Sequence, residues 1–402
     1  MIEYGINLEV KINGQQVKDL PISSAYIRLS DSIHDPFPRG IYYFDDPQGM
    51  LKENGMMSEG LPISIGLGDD KGHHDIEVPL IVERVETLPN NIIGLLGGKL
   101  KLDLCHEYFK KQKAVIKSWK DSTVDTIAND LFGSGYQSFS KEATTGSGDF
   151  WCPGRLPQDY LSEVLLPYAN SSSNADCPYV GFGNLKNEFV FQSLKKLMTQ
   201  APVVTLKYGP LSITSDDATS LDTTIVYDVK PFTNGMTNSR RLWNQKFAAF
   251  QEDDLTFDAV KDSTFKHLLG DGKIPIITKN DDPSVFYYNG NVRNQSEGQK
   301  KFLLARRNYR FLTTYFQEKL LITAPFQPMV WAGCVIELET YLPDTDKNQL
   351  QKGVYFSGKW LVEQSFHELD GGSKKVNTTL IVVRKTSTQA GKSSIKGDLI
   401  SS

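Results

Sequence analysis

Few residues of this chain have types and spacing that could do chemistry. His73-His74-Asp75 sets three metal-ligand types side by side, a set zinc would take if the donors converged. The run borders a stretch of strand-like alternation, where neighbouring residues point to opposite faces, so two of the three cannot easily converge. A polar trio flanking a turn is the expectation. Cys105-His106 meets the same objection, and Cys152 and Cys177 lack a Cys-x-x-Cys spacing. Asp344-Thr345-Asp346-Lys347-Asn348 opens like a calcium loop, but Gln349 stands where that loop needs glycine and Tyr355 where it needs glutamate. There is no His-Glu-x-x-His, no Gly-x-Ser-x-Gly elbow, and no glycine-rich phosphate or dinucleotide loop. A pair of glycosidase carboxylates needs no fixed spacing, yet Asp253-Asp254 and Asp281-Asp282 sit in polar stretches that read as solvated loops. The sequence therefore predicts no enzyme, no cofactor and no metal.

The elements that would position any site are mostly strands. Ile2, Tyr4, Ile6, Leu8, Val10 and Ile12 alternate with polar or small residues, the period of a half-buried strand. Asn13-Gly14 follows, a pair that tolerates positive φ at both positions of a tight hairpin turn. Further strands are predicted at 25–29, 40–44, 61–67, 76–82 and 95–102. Short strands separated by turn clusters make 1–104 one small antiparallel β-barrel. The period then changes. Val124, Ile127 and Leu131 recur at helical spacing, with Ser122 and Asp125 placed as an N-terminal cap. A second helix spans about 157–169, and 179–182 with 188–192 reads as a hairpin, giving an α+β insertion over 105–205. An irregular β-rich segment, 206–298, has strands near 203–208 and 222–229 at its start. From 299 to 385 the pattern is an amphipathic basic helix over 299–314 and then strands at 318–323, 330–338 and 357–367, and at 376–384, a second barrel. The Ser/Thr/Lys/Gly-rich stretch 386–402 reads as a flexible tail.

Composition narrows the class. The chain has 402 residues, 39% hydrophobic and 23% charged, ordinary for a folded protein of two to four domains. Lys and Arg number 44 against 48 Asp and Glu, a formal net charge of −4 with no basic run, so a duplex-binding role is disfavoured. The charge is uneven, net negative over 1–300 and net positive over 301–402, as suits a protein whose ends meet different partners. No apolar stretch approaches the ~18 residues of a membrane span, and Met1-Ile2-Glu3-Tyr4-Gly5 does not open like an export signal. Four cysteines, Cys105, Cys152, Cys177 and Cys334, are too sparse for a disulfide framework. The 17 Tyr, 21 Phe and 5 Trp follow strand periodicity, which points to core and interface packing.

Two stretches carry a resemblance. Residues 41–67, IYYFDDPQGMLKENGMMSEGLPISIGL, are similar to the first barrel of the phage baseplate hub and late-control-protein-D family, which includes type VI secretion spike N-terminal regions. Residues 306–384 resemble the end of its second barrel. The closing pattern falls here on Ser357, Gly358, Lys359, Trp360, Val362, His367, Thr379, Leu380, Val383 and Arg384. The order barrel, α+β insertion, barrel also matches.

The resemblance implies an α+β, mostly β fold with two tube-type barrels, and a structural role. Three chains with two barrels each would form a pseudo-sixfold ring joining the tail tube to the central spike. Implied partners are further copies of itself as a homotrimer, the tail tube or distal tail protein, the spike, the tape-measure protein, and baseplate wedge proteins where the tail is contractile. No membrane is implied, and DNA enters only as the transiting genome. The location would be the virion tail baseplate, after assembly in the host cytoplasm. The motif residues are then structural, with Trp360 a packing anchor and His367 a strand-end residue. Residues alone leave two other classes open: a peptidoglycan- or glycan-acting tail enzyme, and a tail-associated glycan-binding protein.

Overall fold

The computed structural model describes residues 6–16, 23–46, 58–69, 74–88, 98–173, 177–208, 226–229, 237–244, 249–256, 286–288, 318–344, 349–370 and 375–384. Seven strands open the chain: β1 (Ile6–Ile12), β2 (Gln15–Gln16), β3 (Ser23–Ser32), β4 (Arg39–Asp46), β5 (Pro62–Asp69), β6 (His74–Leu88) and β7 (Gly98–His106). Asn13 and Gly14 join β1 to β2 with φ of 50° and 81°, the positive pair such a turn demands. Alternate residues of the strands face one core, which holds Val10, Ile12, Ile27, Leu29, Tyr42, Phe44, Ile65, Val78 and Leu102. Each such side chain contributes about 1.5–3 kcal/mol by leaving water, and this common face curls the sheet.

The middle of the chain mixes elements. Helix α1 (Glu107–Lys111) and strand β8 (Val115–Ser122) lead into α2 (Val124–Phe132). Then come β9 (Ser138–Lys141), β10 (Gly148–Arg155) and α3 (Pro157–Tyr160), whose helix continues through a π-turn (Leu161–Leu165) into α4 (Leu166–Tyr168). Strands β11 (Tyr179–Gly183) and β12 (Glu188–Ser193) form the expected hairpin, and α5 (Leu194–Met198) follows. The cap of α2 differs from expectation. Its N-cap is Thr123, and Ser122 Oγ donates instead to the Lys120 carbonyl. Asp125 turns away to accept the Thr144 N–H and hydroxyl and the Lys141 ammonium. A carboxylate with those partners gains more than it would from capping the helix, and they hold Asp125 down to about 2 against the opposing effect of burial.

The last strands are β13 (Pro202–Tyr208), β14 (Val226–Val229), β15 (Thr237–Asn244), β16 (Ala249–Thr256), β17 (Phe286–Tyr288), β18 (Glu318–Pro325), β19 (Val335–Asp344), β20 (Gln349–Asp370) and β21 (Lys375–Arg384). The predicted strand at 330–338 begins only at Val335, because Gly333 at φ +87° turns the chain just before it. The expected helix at 299–314 and the tail at 386–402 lie outside the described residues. Strands β15, β16 and β17 form a separate three-stranded sheet.

Two groups of six strands repeat one plan. In chain order β1, β3, β4, β5, β6, β7 stand in space as β3-β4-β7-β6-β5-β1, and β13, β14, β18, β19, β20, β21 stand as β14-β18-β21-β20-β19-β13. The rule is the same in both: second, third, sixth, fifth, fourth, first. The fifth strand of each is long and bulged, at Val82/Arg84 in β6 and at Val362/Gln364 in β20. Around those bulges Ile81-Val82-Glu83-Arg84 matches Leu361-Val362-Glu363-Gln364 in type. Val82 exchanges backbone hydrogen bonds with Gly60 and Leu61, and Val362 does so with Gly333 and Cys334. Both of those glycines have φ of +87°, a conformation glycine adopts at no steric cost. The units differ at the first strand, antiparallel to its neighbour in β1–β5 and parallel in β13–β19. The second unit packs its own core around Leu206, Leu320, Ile322, Ile336, Leu338, Trp360, Val362, Leu380 and Val382.

Candidate functional site

The two units are one sheet, and the place where they join gathers several buried, hydrogen-bonded polar side chains. Beyond its bulge β20 leaves β19 and pairs with β3, from Gln364↔Ser32 to Asp370↔Tyr26. Asp31 sits on this seam, on the same inward alternation as Ile27, Leu29 and Ile33. Its carboxylate accepts the Ala332 N–H at 2.9 Å and the Ser365 hydroxyl at 2.5 Å on one oxygen. The other oxygen accepts the Leu185 N–H at 2.9 Å. One side chain thus ties β3 to β20, to the turn before β19 and to the β11–β12 turn. Complete burial pushes its pKa up to about 6, against the pull of these donors.

Two further polar groups brace the seam. Glu363, at the bulge, pairs with His34 Nε2 at 2.9 Å and Lys319 Nζ at 2.6 Å. Burial raises its carboxyl, and the hydrogen bonds from His34 and Lys319 with the Lys319 charge outweigh that, so its pKa lies below the ordinary value. His367 is fully buried, with Nε2 at 3.0 Å from the Val330 carbonyl and Nδ1 at 3.1 Å from the Thr378 hydroxyl. A carbonyl only accepts, so Nε2 carries the proton and Nδ1 receives the Thr378 O–H. Desolvation holds this ring neutral, with a pKa lowered to about 4. A neutral imidazole with both nitrogens engaged is a brace between strands.

The motif residues form a second cluster on the other side of the β20 bulge, where β20 pairs with β19. Ser357 Oγ accepts the Thr340 N–H at 3.0 Å, and the Arg384 guanidinium donates to the Ser357 carbonyl at 3.0 Å. The same guanidinium lies 4.0 Å above the Trp360 ring, whose Nε1 donates to the Phe356 carbonyl at 2.9 Å. Gly358 has φ of +121°, which an L side chain adopts only with strain. Val362 and Leu380 enter the second unit's core. Val383 lies on the opposite face, against Val180, Phe182 and Leu197 of the middle segment. Lys359 is exposed opposite Glu337, and the Thr379 hydroxyl is 3.5 Å from that of Thr323. Ser357, Gly358, Trp360 and Arg384 therefore act together, while His367 belongs to the seam. Asp31, Glu363 and Ser365 do not stand out in the sequence as site residues. A signal for Asp31 is present all the same, an acid in the inward phase of Ile27-Leu29-Asp31-Ile33.

The residues first considered for chemistry are placed otherwise. Among the described residues no group of three His, Cys, Asp or Glu side chains is arranged to hold a metal. His73 lies outside the described residues. The His106 ring stacks on Tyr136 at 4.4 Å, accepts the Tyr108 N–H at Nδ1 and donates from Nε2 to Asn187. All four cysteines are buried and none forms a disulfide among the described residues, and burial pushes the Cys105 and Cys334 thiols up to about 12.

No family model matches this sequence, and no curated protein matches it either. Solved structures do. A tail protein from Neisseria meningitidis MC58 superposes with a TM-score of 0.56 at 12% identity, over 95% of this chain and 97% of that one. The 43 kDa tail protein of prophage MuSo2 from Shewanella oneidensis gives 0.57 at 10% identity, over 94% of this chain and 98% of that one. This chain has the fold of those tail proteins. The mostly β class expected from the sequence is thereby shown, and the shared fold runs nearly end to end in both comparisons.

Proposed function

We propose that this chain is the structural baseplate hub of a phage-like tail. Three copies would form a pseudo-sixfold ring that joins the tail tube to the central spike and encloses the channel. The observation that carries this reading is the pair of six-strand units of one topology, joined edge to edge in a single sheet. A chain that repeats a unit twice lets a threefold assembly present six equivalent positions, and near full-length likeness to tail proteins supports the setting. The division proposed with it is a first barrel over 1–104, an α+β insertion over 105–205, a β-rich middle over 206–298 and a second barrel over 299–385, with β13 and β14 reaching out of the two middle segments to complete the second unit. The motif cluster of Ser357, Gly358, Trp360 and Arg384 would hold β20 against β21, with Val362, His367, Thr379, Leu380 and Val383 packing the same two strands.

The part of the shared sheet's outer face that the middle segment leaves uncovered fits a channel wall. It carries Arg28 paired with Glu368, Lys101 paired with Glu86 and Asp103, and Gln364. Balanced charge of this kind lets a polyanion or a tape-measure protein pass without being held. Tail tube, spike and tape-measure protein would be the partners, with wedge proteins in a contractile tail, and the virion baseplate the location. Light scattering and negative-stain imaging of the purified chain test the reading, alone and mixed with tube and spike. Ring particles at three times the chain mass are expected. A monomer in all of these conditions would overturn it.

A further inference from the structure

The middle segment reaches the seam through the β11–β12 turn, and that turn grips both units. Its Gly183 N–H donates to the Pro36 carbonyl beyond β3 at 3.1 Å, and Asn187 Oδ1 lies 3.0 Å from His106 Nε2 at the end of β7. These two bonds anchor its base. Between them the tip, Leu185 and Lys186, is held in three ways. The Leu185 side chain is buried in the first unit's core. The Lys186 ammonium lies 3.6 Å from the centre of the Trp331 ring, in the turn before β19. The Leu185 N–H donates to one oxygen of Asp31, while the other oxygen holds Ala332 and Ser365 of the second unit. Alongside, Phe182 of β11 occupies the space over Gly333, where a Cβ would come within 2.3 Å of its ring. Asp31 is thus the one carboxyl that touches both units and the turn.

We infer that the tip of the β11–β12 turn is a latch on the joint between the two units, closed while Asp31 is a neutral acid and loosened when it ionises. The charged and titratable groups on the surrounding elements are engaged elsewhere. On β20, Glu363 is taken by His34 and Lys319, and the neutral His367 by Val330 and Thr378. Beyond β3, Asp35 pairs with Arg39, which also reaches Glu83. Around the turn, Glu188 accepts from Asn184, Lys186 rests on Trp331, and burial keeps His106 neutral. The Cys334 thiol stays protonated. The donors to Asp31 are therefore all neutral, and burial outweighs them in raising its pKa to about 6. A buried carboxylate so placed gains most by reaching water. Ala332 and Ser365 are held by the second unit's own sheet, whereas Leu185 is the tip of a turn, so Leu185 yields and the oxygen it held is wetted. With the carboxyl at its ordinary 3.8 when open and about 6 when closed, the open-to-closed ratio rises about tenfold from about pH 5 to about pH 8. The latch is independent of the ring reading, and it sets how stiffly the two units share one sheet.

The test is hydrogen exchange of the whole chain at a series of pH values, resolved to the Leu185 amide, with each rate divided by that of the unfolded chain at the same pH. Protection of Leu185 should fall about tenfold from about pH 5 to about pH 8 in the wild type and stay level in Asp31→Asn. Low concentrations of urea separate a local opening from unfolding of the first unit, because only the latter exposes much surface. Urea should therefore leave Leu185 unchanged while it speeds exchange of the amides of β5 and β6. Leu185→Ala, which keeps Asp31 and removes the plug, should lower protection of residue 185 at every pH with the same tenfold slope. A level profile at Leu185 in the wild type would overturn the latch, as would the same fall in Asp31→Asn. Exchange at Leu185 that follows urea in step with β5 and β6 would show the whole unit unfolding and overturn it too. Unchanged protection in Leu185→Ala would remove the tip as the moving part.

Discussion

Replacing Asp31 by asparagine probes the seam at its most sensitive point. The substituted amide keeps one oxygen for Ala332 and Ser365, but its NH2 group faces the Leu185 N–H, donor against donor. An unmade buried bond of this kind costs about 1–3 kcal/mol. The wild-type carboxyl has a pKa raised from 3.8 to about 6, so its contribution to stability is fully present below the unfolded value and is lost as pH rises through the folded one. Between about pH 5 and about pH 7.5 that loss amounts to roughly 1.5 kcal/mol, while an amide loses nothing over the same range. Urea titrations at a series of pH values, on wild type and Asp31→Asn, should therefore give a gap that is widest at the acid end and narrows towards neutrality. Every other titrating group cancels in the difference. Parallel curves would refute the placement of a buried titrating carboxyl at the seam.

Four other outcomes are expected. His367 is depressed to about 4, so its contribution is present above the unfolded pKa of 6.5 and is lost as pH falls through 4; His367→Gln should remove about 3 kcal/mol of that acid sensitivity in denaturant titrations. Glu363→Gln leaves the partly exposed Lys319 and His34 facing a neutral group and should cost about 1–3 kcal/mol at neutral pH, a cost that fades on acidification because the wild-type carboxyl, depressed in the fold, gives its stability only above its unfolded pKa. Gly358→Ala forces φ of +121° on an L residue and should lower stability by about 1–3 kcal/mol, read as a shift in midpoint without loss of m-value. Trp360→Ala empties the second core beneath Arg384 and should cost about 3–5 kcal/mol, seen in calorimetry.

What can be read from the sequence follows from the range over which each signal acts. Alternation and turn chemistry are local, so the strands around Val10, Tyr42, Ile65 and Val78 and the Asn13-Gly14 turn are legible in the residues themselves. Val330 to Cys334 shows the limit of that signal: the alternation runs on, but Gly333 turns the chain and β19 starts later. Asp125 shows a second limit, since its partner Thr144 is supplied by a loop that no short pattern links to α2. The seam is the least legible of all. Asp31 and Ser365 are 334 residues apart, and pairing between distant strands leaves no mark on either strand's own periodicity. The six-strand repeat is hidden for the same reason: its likeness lies in strand order and in two matching bulges, with only the short side-chain similarity of Ile81–Arg84 to Leu361–Gln364 to betray it.

The β3–β20 pairing also sets a clock on the chain's own completion. A ribosome releases β3 long before the strand that covers its edge: Asp31 and its partner Ser365 are 334 residues apart. Leu369 and Val376, which help close the first unit's core, come later still than most of β20. Contacts so distant in sequence form slowly, and until they do the first unit carries an unfinished edge and a partly open core. A chain cut short before β20 can therefore present no finished first unit. An incomplete copy is thereby marked by its own folding, since its first unit keeps a bare strand edge and a gap where Leu369 and Val376 belong.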